Sequence, residues 1–370
     1  MEHQIISKLF FVSILLSIAC FSSQEVEQFT DYAVPDYNLC VADSFGVEFG
    51  DSLHMIGSID DFCFHPNGSI LILDRAALCV RVIPSDGEPF FISREGEAPG
   101  ELLFPQSMCA QQDGTILVAD EMKRKVLAFN PSGSFQGNYF ATDRYVPYRM
   151  YSVDSASVVG SMLDLQMGDP IFFSFYIGRF DEDSIPSVRY TTLQWEWPAP
   201  ELYTDIELID FVAGAKGYVY YTQDNTSYLI SVFSPEGEEV ALIVNPEVSR
   251  ISKTPKEIEE EIEYFESWAR QDQAYTGGYE PSPYHQLISL IGVDAEGNLW
   301  VERHGNEDGH HFDAWDDSGN LVFTTTFSGY NEIDFLFTVD QYGMLAAVVD
   351  SEHYPRIFKL ELEVSAEVIE

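Results

Sequence analysis

The sequence predicts an all-β chain: a six-bladed β-propeller, its last blade closed by an N-terminal strand, with one helical insertion between blades four and five. Three observations carry this expectation. Gly68 and Gly114 stand 46 residues apart inside matching stretches, Phe62 to Asp74 and Met108 to Asp120. Each stretch is a short apolar run, an Asn-Gly or Asp-Gly turn, then a β-rich run ending in Asp. Those dipeptides supply the positive φ that a tight hairpin needs. The same spacing of 46 separates Gly297 from Gly343, with Gly217 between the two pairs. A hairpin period of about 40–50 residues is how a propeller blade reads in sequence.

The elements follow in order. Leu9 to Ile18 is an apolar run with Lys8 before it and Ala19-Cys20 after it, so residues 1–20 read as a signal peptide. The run is too short to span a bilayer as a permanent helix. Leu16-Ser17-Ile18-Ala19-Cys20 resembles a bacterial lipobox, which puts a lipid on Cys20. Ser17 stands where Leu or Val is usual, and ordinary cleavage nearby is the alternative. Residues 21–40 are polar and aperiodic and read as a tether, leaving 41–370 as the propeller. Its last blade lacks a fourth strand after Leu362. Ser44 to Phe49, or its continuation to Met55, is expected to fill that place and remove the free edge.

Inner hairpins turn at Gly68, Gly114, Gly217, Gly297 and Gly343, with a degenerate one over Val153 to Val159. A second set of turns follows, among them Ser85-Asp86-Gly87, Pro131-Ser132-Gly133 and Asp317-Ser318-Gly319. The strands before them alternate, as in Val80 to Ile83 and Val126 to Phe129, which marks two unlike faces. Residues 249–283 are extra to the period. There Thr254-Pro255-Lys256-Glu257 forms a capping box. Ile258, Ile262, Phe265 and Trp268 share one face of the helix that follows, which is expected to run to about Asp272, with Glu259, Glu260, Glu263 and Glu266 opposite. One helix of this length is marginal alone, so its stripe packs on the propeller, covers the central tunnel, or meets a partner. Phe265 and Trp268 are the candidate partner-binding residues.

Charge narrows the partners. Sixty-one acids against 19 bases give −42, a field that repels nucleic-acid phosphates and anionic headgroups. No nucleic acid is expected, and membrane contact only through a lipid anchor. The charge keeps the chain soluble in a crowded or saline compartment, or serves a site for cations or basic peptides.

Cys63 and Cys109 each lie five residues before a turn glycine, so they are equivalent on adjacent inner strands. They are a candidate disulfide in an oxidising compartment; the alternative is two small buried thiols. His304, His310 and His311, with Glu307 and Asp308, are a candidate divalent-metal group. Against that, Gly305 to Gly309 reads as the exposed tip between strands at 299–303 and 311–315. His54, His65, His285 and His353 are scattered through the repeat. Gly-x-Ser-x-Gly, a phosphate loop and a dinucleotide fingerprint are absent from the sequence.

One stretch carries a resemblance. Arg94-Glu95-Gly96-Glu97-Ala98-Pro99-Gly100-Glu101-Leu102-Leu103-Phe104-Pro105 is similar to the Gly-Pro-Gly-Glu-Phe-x-x-Pro connector between NHL-type repeats. It departs at Arg94 and Ala98, where glycine is usual, and at Leu102, where Phe is. Leu117 to Asp120 and Val126 to Phe129 resemble that repeat's two following strands. The chain thus resembles the NHL-type repeat and the six-bladed propeller lipoproteins of bacteria. Such relatives include protein-binding scaffolds and lyases, so the resemblance implies fold more than function. The favoured expectation is non-enzymatic: an exported or envelope-anchored monomer, periplasmic or at the surface, without cofactor. It would recognise a protein, peptide or glycan through one ring face. The alternative is a metal-dependent NHL-like lyase or hydrolase with Ca²⁺ or Zn²⁺ at the tunnel mouth.

Overall fold

A computed structural model describes residues 34–197, 202–269, 279–306, 308–330, 333–349 and 352–363. The expected signal peptide, residues 1–20, and Cys20 within it lie outside the described residues. Strand β1 (Asp36–Phe45) is followed by four sheets of four antiparallel strands in chain order. The first holds β2 (Asp61–Phe64), β3 (Ile70–Asp74), β4 (Cys79–Ile83) and β5 (Phe90–Ile92). The second holds β6 (Pro105–Ala110), β7 (Ile116–Asp120), β8 (Lys125–Phe129) and β9 (Phe135–Ala141). The third holds β10 (Met150–Ser152), β11 (Val158–Gln166), β12 (Phe172–Phe180) and β13 (Val188–Glu196). After helix α1 (Leu202–Leu208) comes the fourth, with β14 (Asp210–Ala213), β15 (Val219–Thr222), β16 (Leu229–Phe233) and β17 (Glu239–Val244). Helix α2 (Pro255–Ala269) precedes β18 (Ile288–Val293), β19 (Leu299–Arg303), β20 (His310–Trp315) and β21 (Leu321–Phe327). The described chain ends with β22 (Phe335–Asp340), β23 (Gly343–Val348) and β24 (Arg356–Glu363).

The turn chemistry explains the hairpins. In the first sheet Gly68 N–H donates to His65 O at 2.8 Å, and Ser69 N–H to Asn67 Oδ1 at 3.0 Å. In the second, Gly114 N–H donates to Gln111 O at 2.9 Å and Thr115 N–H to Asp113 Oδ1 at 2.8 Å. Both glycines are left-handed, φ 86° and 89°, where a side chain would be strained. The Asp residues that end the second strands are also explained. Asp74 and Asp120 are fully buried. Asp74 accepts from Gly57 N and Ala77 N, both at 2.9 Å, and from Arg81 Nε at 2.5 Å. Asp120 accepts from Leu103 N at 2.7 Å and Lys123 N at 3.0 Å. Each ties the segment entering its sheet to the turn leaving the second strand.

Second strands are apolar on both sides because sheets cover both faces. Leu71 and Leu73 pack with Val118 and Leu127 of the second sheet. Ile70 and Ile72, pointing the other way, pack with Leu345 and Ala347 near the C-terminus. The first strands form a ring: β2 lies beside β6, β6 beside β10, β10 beside β14, β14 beside β18, β18 beside β22, and β22 beside β2.

The six separate sheets expected from the sequence are not what the chain forms. Strand β1 and the last seven strands make one closed sheet, in the order β1-β21-β20-β19-β18-β22-β23-β24. Two joints fuse it. Strand β1 pairs antiparallel with β24, from Asn38 opposite Glu363 to Phe45 opposite Ile357, and parallel with β21 at Asp36, Tyr37 and Asn38. At the other joint Gly292 bridges to Val339 in parallel. A Cβ on Gly292 would stand 1.8 Å from Val339 O, so only glycine permits this approach. Strand β1 also begins at Asp36, inside the stretch read as a tether.

The single helical insertion is corrected as well. Helix α1, between β13 and β14, was not expected, because 7 residues give too few turns for a periodic signal. Helix α2 starts at the capping box: Thr254 N–H donates to Glu257 Oε2 at 2.7 Å, and Glu257 N–H to Thr254 Oγ1 at 3.3 Å. Among the described residues no helix is long and apolar enough to cross a membrane.

Candidate functional site

The ring of first strands encloses a cavity of about 610 Å³. Its polar groups gather where the first strands begin, at the end that also carries the helices. Asp61 opens β2 and Asp210 opens β14, each followed by Phe. Asp61 Oδ1 accepts from Phe62 N at 2.9 Å, and its Oδ2 from Met108 N of the second sheet at 2.7 Å. Asp210 repeats the pattern, accepting from Phe211 N at 2.9 Å and from Leu290 N of the next sheet at 2.7 Å. At the far end of β22, Asp340 accepts from Phe64 N at 3.2 Å and Tyr342 N at 2.8 Å. Three carboxylates of the cavity wall therefore stitch neighbouring first strands together.

Burial sets their proton affinities. Asp61 is pushed up to about 7 by burial, which outweighs its two amide bonds and the field of Arg149. Asp340 is pushed up to about 6 for the same reason. Asp210 forms an ion pair with Arg149, whose affinity for its proton rises beside that carboxylate. Arg75 pairs with Asp60 at 2.6 Å. Both arginines that line the cavity thus have a carboxylate partner, whereas Asp61, Asp340 and Glu207 have no Lys or Arg partner among the described residues.

Glu207, the penultimate residue of α1, lines the cavity beside Asn225. Asn225 Nδ2–H donates to Glu207 O at 3.1 Å, and Leu287 N–H donates to Asn225 O at 2.8 Å. Tyr279 O–H lies 3.0 Å from Glu207 Oε2 and 2.8 Å from Glu261 Oε1 of α2. Burial, and then the two carboxylates, hold the phenol well above its usual range.

Of the three histidines singled out in the sequence, His304 and His310 both approach Glu302, at 4.0 and 2.8 Å, while His311 does not. His304 lines the cavity, with Nε2 2.8 Å from Ser289 Oγ. His310 and His311 are neighbours on β20 and so face opposite ways. His310 Nδ1 meets Glu302 Oε1 at 2.8 Å and packs against Phe335 and Phe337. His311 Nε2 meets Asp308 Oδ1 at 2.8 Å. Glu307 lies outside the described residues. Among the described residues no three His, Cys, Asp or Glu are grouped to hold a metal ion.

Cys63 and Cys109 are both free thiols. Equivalent places on successive strands face successive layers: Cys63 packs between the first and second sheets, Cys109 between the second and third. Burial pushes both thiols up. Phe265 is buried and stacked on Tyr279 at 4.1 Å. The Trp268 side chain lies outside the described residues.

Sequence reasoning missed Asp61, Arg149, Glu207, Asp210, Asn225 and Asp340. For two of them a signal existed: Asp61 and Asp210 each stand seven residues ahead of a turn glycine, Gly68 and Gly217, in an Asp-Phe pair.

No family model matches this chain, and no curated protein matches it. Solved structures do. The chain is similar to a Bacteroides fragilis protein described as exported, at 14% identity and TM-score 0.49, over 89% of this chain and 99% of that one. It is similar to a member of the DUF4221 family from Bacteroides vulgatus, at 10% identity and TM-score 0.49, over 90% and 100%. It is also similar to virginiamycin B lyase from Staphylococcus aureus, at 12% identity and TM-score 0.42, over 89% of each chain. These neighbours are of β-propeller type, and the likeness to NHL repeats rests on the motifs alone. At these identities and TM-scores none of them assigns an activity to the cavity.

Proposed function

We propose that this protein is an exported binding protein that takes a polar ligand, a saccharide or the end of a peptide, into the cavity on the axis of its ring. The observation that carries this reading is the cavity itself: about 610 Å³, richest in polar groups at the helix-bearing end, with the first strands forming much of its wall. Concave sites with a few fixed polar groups are the usual places for small ligands. The carboxylates there hold backbone amides of adjacent sheets, so the wall is rigid before any ligand arrives, which lowers the ordering cost of binding. Export rests on the sequence of residues 1–20, and attachment through Cys20 would keep the protein at the envelope.

The test is a screen of saccharides and short peptides by thermal shift and native mass spectrometry. It compares the wild type with Ser152→Trp, which fills the cavity from β10. A ligand that stabilises the wild type and not the variant supports the reading. Ligands that bind both equally well would place recognition elsewhere and sink it.

A second reading has one contact in its favour. Gln286 Nε2–H donates to Ser289 Oγ at 2.8 Å, leaving the Ser289 hydroxyl to donate to His304 Nε2. That pair could move a proton in a lyase or hydrolase working at the same end of the cavity. Turnover of any screened compound that disappears in His304→Ala would favour it.

A further inference from the structure

The helix-bearing end of the cavity has an imbalance. Its two arginines are taken, Arg75 by Asp60 and Arg149 by Asp210. Asp61 and Glu207 remain without a Lys or Arg partner among the described residues, in a chain whose net charge of −42 concentrates cations around it. A second observation is independent of charge. Asn225 is 6% exposed, its amide is fixed by the bond from Nδ2 to Glu207 O, and its Oδ1 accepts from no donor among the described residues. A buried acceptor without a donor is costly. Asn225 and Glu207 both line the cavity, and Glu207 has no Lys or Arg partner among the described residues.

We propose that this end of the cavity is a subsite for the ammonium group of an organic ligand, with Glu207 supplying the charge and Asn225 Oδ1 a directed acceptor. An ammonium carries three N–H donors and no acceptor, which is the complement of this pair. Tyr279 orients the Glu207 carboxylate from the other side, through the 3.0 Å contact with Oε2. The inference rests on the reading of the cavity as a binding site and names the chemistry of its ligand.

The experiment is isothermal titration with 1,5-diaminopentane, with 1,5-pentanediol as the uncharged analogue of equal length. Wild-type protein should bind one diamine and ignore the diol. Glu207→Gln and Asn225→Leu should each weaken binding about tenfold, with a retained cooperative unfolding transition showing that they fold. Glu259→Gln, on the outer face of α2, should bind as the wild type does. Equal affinity in all four proteins would mean adsorption to the acidic surface and would overturn the subsite. If the diamine fails while a saccharide or peptide binds and is blocked by Ser152→Trp, the cavity reading stands and the ammonium subsite falls. If neither class binds, both fall.

Discussion

Asp61 and Asp210 do the same job in different sheets: each binds the amide that follows it and one amide of the next sheet's first strand. Asp210 carries Arg149 in addition. Alanine at Asp61 leaves two buried amides without acceptors, a loss of about 2–3 kcal/mol. Asp210→Ala should cost about 1 kcal/mol more, because Arg149 also loses its counter-ion; the extra is small since that side chain is 54% exposed within the cavity. Urea unfolding of the two variants checks the order. Equal losses would mean that the ion pair contributes nothing.

Stability should fall as the solution is made less acidic. Asp61 and Asp340 titrate near the ordinary carboxylate value in the unfolded chain, but at about 7 and about 6 when folded. Between about pH 4 and those values the folded state holds more protons than the unfolded one, so raising the pH through that window costs stability. The Asp340 share is about 2 kcal/mol between pH 4 and 6. Asp340→Asn removes that titration, so its unfolding free energy should change less with pH than that of the wild type. Parallel profiles would show that Asp340 does not titrate in this window.

Gly292→Ala tests the joint that closes the eight-stranded sheet. Its Cβ would collide with Val339 O at 1.8 Å, on a backbone with φ 144°. Gly50→Ala is the control: it has a comparable φ, 131°, and nothing within 4 Å. The first should lower the melting temperature strongly and the second by no more than backbone strain, about 1–3 kcal/mol. Similar losses would mean that the bridge between β18 and β22 yields readily.

That joint also shows where the sequence stops being legible. The turn at Gly68 is written locally, in an Asn-Gly pair between apolar runs. Gly292 looks like any strand glycine, because its role depends on Val339, 47 residues later, coming within bonding reach. The candidate site divides the same way. The Asp-Phe pairs at Asp61 and Asp210 keep a constant distance from a turn glycine and were readable. Asn225 and Glu207 meet only because α1 folds back over the end of β15. Among the histidines, closeness in sequence is not closeness in space: His310 and His311 are neighbours on a strand whose side chains alternate, whereas His304 and His310, six residues apart, both approach Glu302.

Thiol reactivity gives a direct check on packing. Cys40 is exposed, whereas Cys79 and Cys109 are buried and Cys63 is partly covered. Burial pushes Cys79 up to about 11 and the Cys63 and Cys109 thiols up as well, so little thiolate forms at neutral pH. Iodoacetamide applied to the native protein should label Cys40 alone among these four, read peptide by peptide by mass spectrometry. In denaturant all four should react. Rapid native labelling of Cys63 or Cys109 would contradict the layers assigned to them.

Tyr279→Phe separates the helical segment from the ring. The phenol joins Glu207 of α1 to Glu261 of α2, and its ring stacks on Phe265. Phenylalanine keeps the stacking but leaves two carboxylates facing each other without the shared proton. The only cation on either is Lys253, paired with Glu261 at 2.5 Å among the described residues. Helix α2 buries little apolar surface beyond Ile262 and Phe265, so its attachment depends on this contact. Amide exchange over 255–269 should speed up about tenfold in the variant, while the core strands β3 and β7 keep their protection. Unchanged exchange in α2 would show that ring stacking alone holds it, and the phenol would then matter only for orienting Glu207.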